Sequence, residues 1–291
     1  MKGDKEDYTS FITINDGVHT NNINFLLACY TLLGETRALE PLQRAMTCVL
    51  ALQGGKPQAG WAMQHKLDLN YSPGHARDFE PAGYAPTATA EMCRNLMRFY
   101  RWTGDTKYLA RIPDAFEFLE SIRYNDAQMK QLGKSVKPGQ ILCPTFVEVG
   151  TNRPLYLHND PDHYWVDYDY HGLITHYSST RAIDLQSLKD EYQHLLSLSK
   201  EEVTKDSPFI GQTDISGTLL SHLMRGKMQQ ADTQKVDSLL TILKKKDYLP
   251  GRLPSVSKEN PGFSNAPLPS EVISIKEYMN GMSTFIQYLT K

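Results

Sequence analysis

Apolar residues recur at helical spacing through the first part of the chain, in two blocks. In the first block, Phe25, Leu26, Cys29, Leu32 and Leu33 mark one helix and Leu42, Ala45, Met46, Val49 and Leu52 a second, with Gly34 between them. Intervals of three and four keep these side chains on one face, and a glycine supplies the left-handed residue that ends a helix. The pattern then returns at an offset of 70 residues: the segment from Asn24 aligns with that from Arg94, setting Gly34 on Gly104, Tyr30 on Tyr100, Leu39 on Leu109 and Ala45 on Ala115. Both blocks are predicted helical hairpins. Further helices are predicted at 183–198, 213–225, 233–245 and 272–289. Extended segments are predicted near 11–14 and 141–149, where β-branched residues alternate, and a loop at 250–269, which is rich in Pro, Ser, Asn and Gly.

Repeated hairpins with long, varied connections predict an all-α fold, an α/α toroid forming a single domain over 1–291, rather than a regular superhelical array. Tight turns at Gly34 and Gly104 send both ends of each hairpin the same way, so 12–18, 54–87 and 124–180 are expected on one face. Those connections carry the least ordinary residues of the chain: GWAMQHKLDLN from Gly60, HARDFEP from His75 and FVEVGTNRPLYL from Phe146. Polar and aromatic residues that no core needs, held on connections of a rigid scaffold, point to function.

Composition removes several classes of function. A net charge of -2 without a dense Lys/Arg block leaves no concentrated positive field for nucleic acid or a membrane surface. The tract Lys244–Lys246 suits the negative end of a helix. No apolar run approaches the roughly 20 residues of a membrane span, and no apolar signal segment follows Met1, so an export signal would lie outside this sequence. Cys29, Cys48, Cys93 and Cys143 show no CxxC pair and read as free thiols. The histidines, His171 and His176 included, form no HExxH, and no GxSxG elbow is present.

Taken in order, YTSFITINDG, a helical hairpin, GWAMQHKLDLN, ARDFEP, TGDTKYL, EVGTNRPLYL and DYDYHGLITHY resemble the polysaccharide lyase family 10 pectate lyases. The resemblance covers roughly Tyr8 to Tyr177 well and the C-terminal third weakly. It implies an α/α toroid, a monomer that is secreted or periplasmic, cleaving polygalacturonate by β-elimination with calcium helping to bind the substrate carboxylate. Elimination removes the C5 proton of a uronate, so an enzyme must neutralise the adjacent carboxylate, supply a base and accommodate the departing oxygen.

Arg153, in TNRP, matches an arginine of the family motif and is expected as base or carboxylate clamp, or as an arginine bonding loop carbonyls. Asp16 matches an acidic family position, although a helix N-cap would also explain it. Asp78 and Glu80 offer hard oxygen ligands for calcium. Trp61, Tyr156 and Tyr177 offer faces for sugar rings, and Gln64, His65, Arg77 and His176 can bond hydroxyls or carboxylates; packing is the competing role of the aromatics. Thr145 stands where many relatives have Arg, and Lys276 where they often have Arg in a final helix, so Lys276 and Arg252 join the catalytic candidates. These departures keep open an unsaturated uronyl hydrolase and a non-catalytic carbohydrate-binding protein.

Overall fold

Both predicted hairpins form, and by the same device. Helix α1 (Val18–Leu32) reaches α2 (Leu39–Ala51) through Gly34 at φ 65°, followed by a 3-10 turn that the Glu35 side chain caps by accepting the Arg37 N–H. Helix α3 (Pro86–Thr103) reaches α4 (Ile112–Ser121) through Gly104 at φ 64° and a second 3-10 turn, capped by Asp105 on the Lys107 N–H. Pro86 opens α3, where its fixed φ suits a first helical position and its missing donor is not needed. The computed structural model describes residues 7–209, 232–246, 248–251, 272–273 and 275–289. The chain divides into two compact units, residues 1–216 and 217–291.

The connections to the hairpins carry short paired strands within their loops, which corrects the all-α toroid to a mixed fold of helices and antiparallel sheets. In the first unit β1 (Ile12–Thr13) pairs with β2 (Gln64–His65). A four-stranded sheet runs β3 (Gly83–Tyr84), β5 (Phe146–Glu148), β6 (Pro154–Asn159), β7 (Tyr164–Asp167), and β4 (Gln140–Pro144) pairs with β8 (Thr180–Asp184). Helix α5 (Asp126–Gln131) precedes β4; α6 (Leu185–Ser197) and α7 (Lys200–Thr204) follow β8.

Pairing alone accounts for these strands. The β6 and β7 residues set Tyr156 against Asp167 and His158 against Trp165, and Asp160 closes the hairpin by accepting the Asp162 and His163 N–H groups. Strand pairing also draws 12–18, 54–87 and 124–180 together, as the two glycine turns require. Beneath them lie Trp61, Phe99, Phe118, Phe146, Ile23 and Leu27, all fully buried. Removing one such side chain from water is worth about 1.5–3 kcal/mol.

In the second unit, α8 (Thr233–Lys246) and α9 (Ile275–Leu289) accompany the antiparallel pair β9 (Pro250–Gly251) and β10 (Val272–Ile273). Gly281 lets α9 come close to Leu249, whose Cδ1 would lie 2.1 Å from a Cβ at that position. The helix predicted at 213–225 and nearly all of the loop predicted at 250–269 lie outside the described residues.

Candidate functional site

An arginine bonded to two carboxylates stands where α1 begins. The 3-10 turn Asn15–Gly17 holds Asp16 at φ 56°, and Gly17, not Asp16, occupies the N-cap of α1 without a side-chain cap bond. The Asp16 carboxylate therefore faces elsewhere: Arg77 Nη2 lies 3.1 Å from Asp16 Oδ2 and also donates to Glu80 Oε1. A tight turn from Arg77 to Glu80, closed by the Glu80 N–H on the Arg77 carbonyl at 2.7 Å, brings that pair together. Glu80 is 0% exposed. Its Oε1 also accepts Asn15 Nδ2 at 3.0 Å, and its Oε2 accepts Gln64 Nε2 at 3.1 Å. The hydrogen bond to Glu80 outweighs burial and raises the Arg77 guanidinium above its ordinary value.

Beside this network lies a cleft of about 250 Å³ lined by Asn15, Asp16, Thr87, Glu91, Tyr177 and Arg181, with Met63 and Ala88 at its apolar wall. Ligand pockets typically run about 300–1,000 Å³, and this one lies just below that range. Tyr177 stacks on Phe146 with ring planes 9° apart, and the Arg181 guanidinium lies over the Tyr177 ring, 5.0 Å from its centre. Burial pushes the Tyr177 hydroxyl up, against the opposing pull of Arg181. Glu91 receives the Thr20 hydroxyl on Oε1 at 3.0 Å. A larger cavity of about 880 Å³ lies along α2, lined among others by Arg44, Thr47, Tyr71, Trp102 and, from the TGDTKYL segment, Asp105 and Lys107; it holds none of the predicted catalytic, substrate or metal residues.

Arg153 belongs to a different place. It follows the β5–β6 turn, where its guanidinium lies 3.4 Å from the centre of the Tyr168 ring. Glu148 is adjacent, but it receives the Thr151 and Tyr168 hydroxyls, which hold its carboxyl below the usual range. Among the described residues the Arg153 side chain has no hydrogen-bond partner, so its N–H edges are open.

The predicted substrate residues separate accordingly. Trp61, expected as a stacking platform, is fully buried and donates Nε1–H to the Val49 carbonyl at 2.8 Å: it is core. His65 is buried with both nitrogens used, accepting the Ala62 N–H at 3.1 Å and donating to the Tyr71 carbonyl at 2.7 Å, and burial lowers it below the ordinary histidine value. Tyr156 is buried with its hydroxyl 2.9 Å from that of Tyr124. Gln64 is a strut of the Glu80 network, so neither it nor these three can reach a ligand. His176 is exposed, edge-on to Phe79 with ring centres 5.6 Å apart. Arg252 and the side chain of Lys276 lie outside the described residues. Asn15, Glu91 and Arg181 were missed. Asn15 adjoins Asp16 in INDG and was within reach of the same reading; Glu91 and Arg181 sit in ordinary helix and strand patterns that carry no signal.

The calcium expectation meets a donor set that does not fit. Glu80 has both oxygens filled by Arg77, Asn15 and Gln64, Asp16 shares the same guanidinium, and Asp78 is exposed. Among the described residues no three His, Cys, Asp or Glu side chains converge on one point. A hard cation needs six to eight oxygens, and here the counter-charge of the two carboxylates is an arginine.

No family model matches this chain, and no curated protein matches it in sequence. Among the described residues no helix is long and apolar enough to cross a membrane.

Proposed function

We propose that this protein takes a uronan, polygalacturonate or a close relative, through Arg153 and Arg181 and cleaves it by β-elimination in the Tyr177 cleft. One observation carries the reading: Arg153 rests on Tyr168 and Arg181 on Tyr177 with no ion pair to a carboxylate among the described residues, whereas Arg77, on Phe79, is neutralised by Asp16 and Glu80. A ring face holds a cation without using its N–H edges, the atoms a carboxylate grips through two parallel bonds; Arg153 keeps them all, and Arg181 gives up one contact to the Tyr177 hydroxyl. A uronan offers a carboxylate on every ring.

Within the cleft the division of labour follows from chemistry. Arg181 neutralises the substrate carboxylate, which stabilises the charge that develops when C5 loses its proton. Glu91 accepts that proton on Oε2, the oxygen that Thr20 leaves open. The electron pair forms the C4–C5 double bond, the C4–O4 bond breaks, and Tyr177 gives its proton to O4. A phenol is protonated at neutral pH, as a donor must be, and burial pushes this one further in that direction. Arg153, outside the cleft, is a clamp for a further ring of the polymer rather than a base, since a guanidinium stays cationic in water.

Incubation with polygalacturonate tests this. Rising absorbance from a conjugated unsaturated uronate supports the lyase. Loss of that absorbance from pre-cleaved substrate means a hydrolase, and affinity without turnover means a carbohydrate-binding protein.

A further inference from the structure

The β5–β6 turn that carries Arg153 is held from a distant loop. Gln58, only 7% exposed, lies between α2 and β2 and uses both ends of its amide on this turn. Its Nε2 donates to the Glu148 carbonyl at 2.8 Å and to Asn152 Oδ1 at 2.5 Å, and its Oε1 accepts the Gly150 N–H at 2.6 Å. The turn needs such support. Gly150 has φ 90° and Asn152 φ 60°, and a residue other than glycine stays in the left-handed region only where its surroundings dictate it. Asn152 Nδ2 adds a weaker bond to Ser121 Oγ at 3.3 Å, and the Arg153 N–H is taken by Thr151 Oγ1 at 3.2 Å.

We propose that Gln58 is a positioning residue for Arg153: its buried amide fixes the 148–152 turn in the shape that lays the guanidinium on Tyr168 with open N–H edges. The proposal rests on the reading of Arg153 as a carboxylate contact. The geometry argues for more than general stability, because all three bonds converge on a single turn. Gln58 touches no ligand; it acts through Arg153, and that dependence is measurable.

The experiment is a double-mutant cycle on the full chain, with Gln58→Met, Arg153→Met and the double variant. Affinity for an oligogalacturonate of defined length is read by calorimetry, and exchange of the Gly150 amide by hydrogen exchange. Gln58→Met should weaken binding on the order of tenfold, as expected when one charge-assisted bond from Arg153 is lost. It should speed Gly150 exchange, and in the Arg153→Met background it should cost no further affinity. Losses that multiply in the double variant, or unaltered Gly150 exchange, overturn the proposal. Should Gln58→Met fail to fold, Gln58→Glu keeps the acceptor for the Gly150 N–H, lacks both donated bonds and carries the same expectations. A wild-type chain that binds no oligogalacturonate overturns the uronan reading itself, whereas wild-type binding with unaltered affinity in the Gln58 variant overturns only the role of Gln58.

Discussion

Arg77 and Arg153 are both stacked on an aromatic ring and both stand beside a glutamate, yet they are built for opposite purposes. Arg77 lies 5.2 Å from the Phe79 ring centre and spends its Nη2 on Asp16 and on a glutamate that water does not reach. Arg153 lies closer to its ring, but its glutamate is only half-buried and is satisfied by two hydroxyls. Burial decides the difference. A buried carboxylate must be fully paired, and its partners lose freedom; one that water reaches is screened and leaves its neighbour available. The same residue types thus give a structural fastening in one place and an open cation in the other.

The strongest break in this comparison comes from removing each glutamate in turn. Glu80→Ala would orphan the buried amides of Asn15 and Gln64 and loosen Arg77, costing about 3 kcal/mol of stability. Glu148→Ala should leave the denaturation midpoint unchanged. Equal effects of the two substitutions on urea unfolding would erase the distinction.

Ligand binding should respond in the reverse order. Arg153→Met and Arg181→Met are expected each to weaken oligogalacturonate binding by about tenfold or more, with melting temperature nearly constant, since a charge-assisted bond is worth about 1.5–3 kcal/mol. Arg153→Lys should restore little, because an ammonium cannot reproduce the planar fork. Calorimetry on these variants checks both statements. Near-normal affinity in Arg153→Met would leave the Arg181 cleft as the whole site.

How much of this was legible beforehand follows from what each feature rests on. The two hairpins were legible because helical periodicity and a left-handed glycine are local signals, and the acid that caps each 3-10 turn repeats with them. The strands at 154–159 and 164–167 were not. They are fixed by pairing with each other and with 146–148, and a run such as PLYLHN reads equally well as a loop until its partner is known. The catalytic-looking residues suffered from a related ambiguity. Trp61, Gln64 and His65 stand out in sequence for the polarity that the fold then consumes in buried hydrogen bonds, so chemical conspicuousness alone did not separate fastening from function.

His65 sharpens the structural side of the comparison. Burial depresses its folded-state pKa below the ordinary value near 6.5, so the unfolded chain takes up the proton first. The stability it supports is present above about pH 6.5 and declines as pH falls through the folded-state value. His19, depressed by burial in the same way, adds to this trend. Unfolding free energy measured against pH should fall on the acid side, and His65→Asn, which cannot titrate, should flatten part of that slope. An unchanged slope in the variant would remove His65 from the account.

The smallest effect is expected from metal removal, and it tests whether arginine has taken over the work of a cation. With Glu80 saturated and Asp16 shared with Arg77, a divalent ion would have to displace a guanidinium held by two carboxylates before it could find ligands. On the proposed reading the substrate carboxylates are neutralised by Arg181 and Arg153, whose charge needs no ion. Chelator should therefore leave oligogalacturonate affinity within about twofold of its starting value, well inside the tenfold that 1.4 kcal/mol represents. The same titration with Arg77→Met divides the alternatives: that substitution frees Asp16 and takes the counter-charge from Glu80, so calcium dependence that emerges only in the variant identifies Arg77 as the resident counter-charge. Strong calcium dependence already in the wild-type chain would show instead that the acids of this network hold a metal, and that the fastening around Arg77 opens when substrate arrives.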